Sequence, residues 1–376
     1  MSDAPQVRLA RPDLGEAELA AVQRVFASRH LTLGPVLAEY ERAMAAAAGT
    51  AFAVGCANGT AALHLAYLAL DIGPGDEVVV PAYTFPATAS AALFCGATPV
   101  FCDVAPGTDV AGAEQLEAAI TPRTKALCVV HLFGYPVAMA PILELARARG
   151  LHVVEDAAGA LGSRSDGRPA GASGDLACFS LHPRKVVTTG EGGAVTTGDE
   201  ALARRVRRLR HHGIEAGEFP EVGLNYRMPD ILAAIALPQL ERLEEIVAAR
   251  GAVAARYDAA LAELDGMEPA PRPAGEGDRH SYQAYIARAP DRATRDGLVA
   301  GLRERGVEAQ IGTYHVPGIA AYRARGYDAS ATPLARDAAD RGLALPLYES
   351  LREDEQDRVT AALADVLARR PVGARG

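Results

Sequence analysis

The stretch "AFAVGCANGTAALHLAYLAL", residues 51–70, reads as a strand, a glycine turn and a helix with almost nothing between them. Its first seven residues form a short apolar run, and from about Thr60 the spacing predicts an amphipathic helix. A strand that passes directly into a helix is half of a βαβ unit. Its turn, Asn58-Gly59-Thr60, leaves backbone N–H groups facing whatever lies in front of the helix, which can hold a phosphate without a basic side chain.

The same alternation continues down the chain. "DEVVVPA" (76–82) leads toward a helix near Pro86, "TPVFCDV" (98–104) follows, and "KALCVVHLFG" (125–134) precedes a helix rich in Leu and Ala. "LHVVEDA" (151–157) runs into a glycine-rich loop. Continuous apolar strands separated by helices predict an α/β fold, a mostly parallel sheet with helices on both faces. Ligands then collect at the carboxyl ends of the strands. A long amphipathic helix is expected from about Pro229 past Arg250, then a Pro/Gly-rich connector, "PAPRPAGEGD" (269–278). Beyond it "SYQAYIARA" alternates as a strand and "RATRDGLVAGLRERG" reads as a helix ending at Gly306. The expected division is a large domain over 1–250, N-terminal segment included, and a smaller C-terminal α+β domain over 251–376.

With 376 residues, 49% of them hydrophobic, the chain is long enough for a large core. The net charge of −9 opposes a nucleic-acid partner, whose affinity would come from phosphate neutralisation. One basic run, residues 204–212, stands against that balance and reads as a solvated helix face. Five cysteines with no CxxC pairing fit buried thiols in a reducing cytoplasm. No metal-ligand pattern, export signal or apolar run long enough to span a membrane is visible.

The chemistry concentrates in "FSLHPRKVVTTGEGG", residues 179–193, which holds Lys185, one of two lysines in a chain with 36 arginines. A lysine amine can lose its proton and attack a carbonyl, whereas guanidinium stays protonated. On its own, Lys185 reads better as an exposed lysine in a polar loop. Asp156 ends the apolar strand of "VVEDAA", where it would either cap a turn or hold a pyridine nitrogen protonated, making pyridoxal phosphate an electron sink.

Taken in order, the phosphate nest, the strand-end aspartate and the loop lysine resemble the DegT/DnrJ/EryC1/StrS family of pyridoxal-phosphate-dependent aminotransferases, of the aspartate aminotransferase fold (fold type I). The likeness runs from "LTLGP" (31–35) through "VEDAAGALGS" and "GLNYRMPDILAAIALPQLERL" to "LALPLYESL". It implies that Lys185 forms the imine with the cofactor, Asp156 meets the pyridinium nitrogen, and Gly59, Thr60 and the Ser180 hydroxyl bind the phosphate. Phe85 would stack on the ring, and Asn225 would reach the phosphate of the neighbouring subunit in a homodimer with shared sites. His182, Tyr314 and His315 are candidates for the substrate side. Many relatives carry glutamine or histidine three residues after the aspartate, where this chain has Gly159. The implied reaction moves an amino group from glutamate or glutamine to a keto-sugar nucleotide. A keto-cyclitol acceptor, a dehydratase or deaminase of the same fold and a non-enzymatic regulatory homologue are the alternatives; Lys185 argues against the last two.

Overall fold

The apolar runs form a seven-stranded sheet: β1 (Phe52–Cys56), β2 (Glu77–Pro81), β3 (Thr98–Cys102), β4 (Thr124–Val130), β5 (His152–Asp156), β6 (Leu176–Ser180) and β7 (Gly193–Thr197). The computed structural model describes residues 6–369. Strand order is β1-β7-β6-β5-β4-β2-β3. The pairs from β6 through β3 are parallel, and β7 is antiparallel to both of its neighbours. Two reversals in succession restore the direction of β1, so its carboxyl end opens on the same side as those of β5 and β6. The strand centres, such as Val78, Val79, Val80, Leu127 and Val154, are buried, as expected of a sheet covered on both faces.

The turn quoted at the outset folds as read. The helix Gly59–Ala69 is capped by Asn58, whose Oδ1 accepts from Ala61 N at 2.8 Å. Leu63, Leu65, Ala66 and Tyr67 are buried, so the helix presses against the sheet. Burial of each large side chain contributes about 1.5–3 kcal/mol relative to exposure.

The long helix expected from Pro229 is two helices, Asp230–Glu241 and Leu243–Ala262, broken at Arg242. Pro238 has no N–H to give to the preceding turn, and such a gap weakens a helix locally. The second helix carries Arg250, whose buried guanidinium reaches Glu349 at 3.1 Å and the Tyr282 carbonyl at 3.2 Å. A second sheet lies beyond, with Gly342–Leu345 between Tyr285–Arg288 and Gln310–Ile311. Its apolar cluster includes Tyr257, Leu298, Leu302, Leu343 and Leu363, and also Val7. The first described residues are tied to it: Val7 bridges Val307, and Leu347 N donates to Leu9 O at 3.1 Å.

The basic run lies on the helix Glu200–Arg210, and its arginines are paired rather than simply solvated. Arg205 binds Asp71, Arg208 binds Glu215 and Glu221, and Arg210 is buried against Glu41 at 2.6 Å. Four of the five cysteines are buried, and Cys95 is partly so. No helix among the described residues is long and apolar enough to cross a membrane. Among the same residues no group of three His, Cys, Asp or Glu could hold a metal ion.

Candidate active site

Three strand ends converge on a cavity of about 730 Å³. β5 delivers Asp156, β6 delivers Ser180, and β1 leads into Asn58, Gly59 and Thr60. Gly193 stands between them in register, opposite Ser180 on one side and Cys56 on the other. A Cβ on Gly193 would come within 2.8 Å of the Asn58 carbonyl, and one on Gly59 within 2.8 Å of Ser180 Cβ. Both glycines therefore serve close approach, which brings the first turn of a helix against a serine hydroxyl. The N–H groups of Gly59 and Thr60 precede the first intrahelical bond and have no partner within the helix.

Lys185 hangs in the loop between β6 and β7. That loop is held from several directions: Lys185 N donates to His182 O at 2.8 Å, Thr189 N to Leu181 O at 3.0 Å, and Thr188 Oγ1 to Leu181 O at 2.9 Å. Gln239 clasps the Thr188 peptide at both ends, accepting from its N at 2.9 Å and donating to its O at 2.7 Å. Lys185 Nζ makes no hydrogen bond among the described residues and lines the cavity with Asp156. Burial pushes its amine below the ordinary lysine value; the Asp156 carboxylate pulls it back up in part, and Arg184 opposes that. Lys125, the other lysine, is committed to a pair with Asp76 at 3.1 Å and to the Asp71 carbonyl.

Asp156 is buried. Its Oδ2 accepts from Thr88 Oγ1 at 2.7 Å and its Oδ1 from Ala158 N at 3.2 Å. Thr84 Oγ1 stands 3.0 Å behind Thr88 Oγ1, so two hydroxyls in series back the carboxylate. The neighbouring Glu155 points away from the cavity into a set of four donors: His131 Nε2, Gly171 N and Ser173 N at 2.8 Å, and Gly174 N at 2.6 Å. His131 Nδ1 accepts from Val137 N, which assigns the ring proton to Nε2. Burial alone would raise the Glu155 carboxyl, but the bond from His131 and the backbone donors outweigh it and hold it below the ordinary value.

The other candidates divide by position. Phe85, 59% exposed, lines the cavity and meets Tyr314 edge-on at 6.3 Å between centroids. His182 and Arg184 line the cavity beside Lys185. His315 is absent from that lining and its Nε2 lies 2.8 Å from Thr332 Oγ1. Asn225 is exposed and outside the cavity of its own chain, although the adjoining Tyr226 lines it. Sequence reasoning missed Thr88, His131, Glu191 and Gln283. His131 follows the end of β4, so the logic that selected Asp156 would have found it. Thr88 has no such signal, because only the packing of its helix brings it against β5.

Pyridoxal phosphate asks for an amine, an acid, an anion nest and a flat apolar wall. The cavity offers Lys185 Nζ, Asp156, the Gly59-Thr60 turn with Ser180, and Phe85. A Cβ on Gly59 would collide with Ser180 Cβ, so glycine there lets the helix turn and the serine hydroxyl lie side by side as one donor set for an anion. The donor set therefore fits the group.

Comparison with known proteins agrees. A curated relative, GDP-perosamine synthase of Caulobacter vibrioides, is 42% identical over 373 residues, covering 98% of this chain and 100% of that protein. The solved structure of the aminotransferase TlmJ from Streptoalloteichus hindustanus superposes with a TM-score of 0.91 at 37% identity, over 96% of this chain and 99% of that one. Spr1654 of Streptococcus pneumoniae in its PLP-form gives 0.91 at 29% identity, over 97% and 98%. The model of the DegT/DnrJ/EryC1/StrS aminotransferase family matches residues 12–364. The chain belongs to that family and is a pyridoxal-phosphate-dependent aminotransferase.

Proposed function

We propose that the enzyme moves an amino group from glutamate or glutamine to a keto-sugar nucleotide, with Lys185 as the cofactor-bearing amine. The observation that carries the catalytic half is Lys185 Nζ and the Asp156 carboxylate in one cavity with the Gly59-Thr60 turn and Ser180. The full-length likeness to GDP-perosamine synthase supports the acceptor class.

When bound, the cofactor supplies a ring that takes up the electron pair left as the donor's Cα–H bond breaks. Asp156, backed by Thr88, would hold a proton on the ring nitrogen. The N–H groups of Gly59 and Thr60 and the Ser180 hydroxyl would bind the phosphate, with the helix N-terminus favouring its charge. Phe85 would cover one face of the ring. Lys185 would be the base: burial lowers its basicity, so its amine gives up its proton more readily than an ordinary lysine and can accept the one that leaves the donor's Cα. His182 lines the cavity, whereas Tyr314 lies outside the lining and reaches it only through its edge-on contact with Phe85, and His315 and Thr332 both lie outside it.

The exposure of Asn225 outside its own cavity supports a homodimer in which each chain completes its partner's site. Mixing inactive Lys185→Ala and Asn225→Ala chains should restore one working site per heterodimer. No recovery after verified subunit exchange opposes the shared site. We also propose that residues 1–250 hold the cofactor and 251–376 close the cavity, and that the enzyme works in the cytoplasm without nucleic acid or membrane.

The test of the reaction is direct. Borohydride should fix the cofactor on the Lys185 peptide, and the amino form of the cofactor should return to its aldehyde form when a 3-keto or 4-keto sugar nucleotide is added, with the amino sugar seen by mass. Labelling of Lys125, or turnover confined to simple 2-keto acids, refutes the reading.

A further inference from the structure

Position 159 is a glycine, and the structure shows what uses the space that a side chain there would take. Gly159 lines the cavity three residues past Asp156, and its backbone lies outside the left-handed region, so the main chain does not require glycine there. A Cβ at this position would come within 2.9 Å of Gln283 Oε1 and 3.5 Å of Gln283 Cγ. The obstacle is one side chain, arriving from more than a hundred residues further along.

Gln283 is held firmly in that place. Its backbone N donates to Phe133 O at 2.9 Å. The preceding Tyr282 adopts a left-handed φ of 48°, costly for a residue with a Cβ, and its ring stacks on His280 at 4.0 Å. At the far end, Gln283 Nε2 donates to the Arg184 carbonyl at 2.9 Å. That carbonyl belongs to the peptide joining Arg184 to Lys185. The amide thus spans from the turn after Asp156 to the backbone that carries the amine.

We propose that Gln283 is a positioning residue for Lys185, fixing the peptide from which the amine projects, and that residue 159 is glycine in order to admit it. The two halves of the cavity are coupled through this amide. Loss of the contact frees the Arg184-Lys185 peptide, lets water reach the amine, and relaxes its basicity upward toward an ordinary lysine. The inference rests on Lys185 as the cofactor-bearing amine.

The test uses the apoprotein first, where two lysines make the readout simple. Acetylation by acetic anhydride is followed across pH by mass spectrometry of the Lys185 peptide, with Lys125 as internal reference. Gln283→Ala and Gly159→Ala should each raise the pH midpoint of Lys185 reactivity. In the holoenzyme each should weaken retention of pyridoxal phosphate about fivefold, the scale of one lost hydrogen bond. Because a methyl at 159 displaces only the flexible end of Gln283, Gly159→Ala should melt close to wild type and keeps the test readable should Gln283→Ala fold poorly. The double variant should lose no more than either single, since both act on one contact.

A Gly159→Ala chain with wild-type midpoint and retention overturns the proposal. So do single effects that add in the double variant. Borohydride labelling reports separately on Lys185 as the cofactor's amine, so failure of that reading is distinguishable from failure of this one.

Discussion

Glu155→Gln is a nearly isosteric change that should damage this protein more than its distance from the cavity suggests. The carboxylate meets four donors in two pairs: Ser173 N and Gly174 N on Oε1, His131 Nε2 and Gly171 N on Oε2. A glutamine has one acceptor oxygen and one NH₂ group, so either orientation turns the NH₂ against two donors. His131 cannot adapt by switching tautomer without losing the bond from Val137 N. Two hydrogen bonds to a charged acceptor are lost, at about 1.5–3 kcal/mol each. The expected cost is about 3–6 kcal/mol, a large part of the roughly 5–15 kcal/mol typical of folded chains. Urea unfolding of the apoprotein, followed by circular dichroism at unchanged slope, measures it.

The pH dependence supplies a second readout. Glu155 is held below its ordinary value of 4.5 in the folded state. Its stabilisation is therefore fully present above the unfolded value and is lost as pH falls through the lower folded value. The variant should lack that part of the acid limb. A cost below about 1 kcal/mol, or an unchanged acid limb, refutes the reasoning, because the minimum of two lost bonds sits above it.

Thr88→Val removes the hydroxyl that donates to Asp156 Oδ2 at 2.7 Å; urea unfolding should show a loss of about 1.5–3 kcal/mol, and Thr88→Ser should recover most of it. Gly59→Ala places a methyl within 2.8 Å of Ser180 Cβ; fluorescence titration should show pyridoxal phosphate binding weakened about tenfold or more, on the scale of overpacking, and unchanged affinity would show that the turn does not hold the phosphate. Asp156→Asn should retain the cofactor but lose most of kcat with little change in KM, because the ring nitrogen is no longer held protonated; near-wild-type turnover would make Asp156 a turn residue.

Legibility in the sequence followed the range of the forces. The turn at Asn58-Gly59-Thr60 was readable because strand, cap and helix start are local and depend on neighbouring residues. Asp156 and Lys185 were readable for the same reason, one at the end of an apolar run and the other alone in a glycine/threonine loop. The strand Gly193–Thr197 is local too, but its antiparallel direction depends on Ser180 and Cys56 lying on either side, which no short-range pattern encodes. The break at Arg242 was obscured by apolar periodicity continuing through Pro238. The basic run gave no sign of its partners, since Asp71, Glu41 and Glu221 reach it from other elements. Thr88 and Gln283 were out of reach entirely: each matters through one contact with a residue distant in the chain.

The ties that join residues 7–9 to Val307, Glu308 and Leu347 bear on the order of events during synthesis. Leu9, Gln310 and Leu347 share the wall of the cavity that Asn58 and Lys185 open into. The wall of that cavity is consequently complete only when residue 347 has left the ribosome, long after β1 to β7 have been made. Firm retention of the vitamin is then expected to follow translation, because the residues that close the cavity are made last. Ribosome-bound chains arrested with residue 330 exposed should release labelled pyridoxal phosphate on gel filtration, whereas chains arrested with residue 369 exposed should keep it; equal retention by both would place capture within the earlier-made sheet.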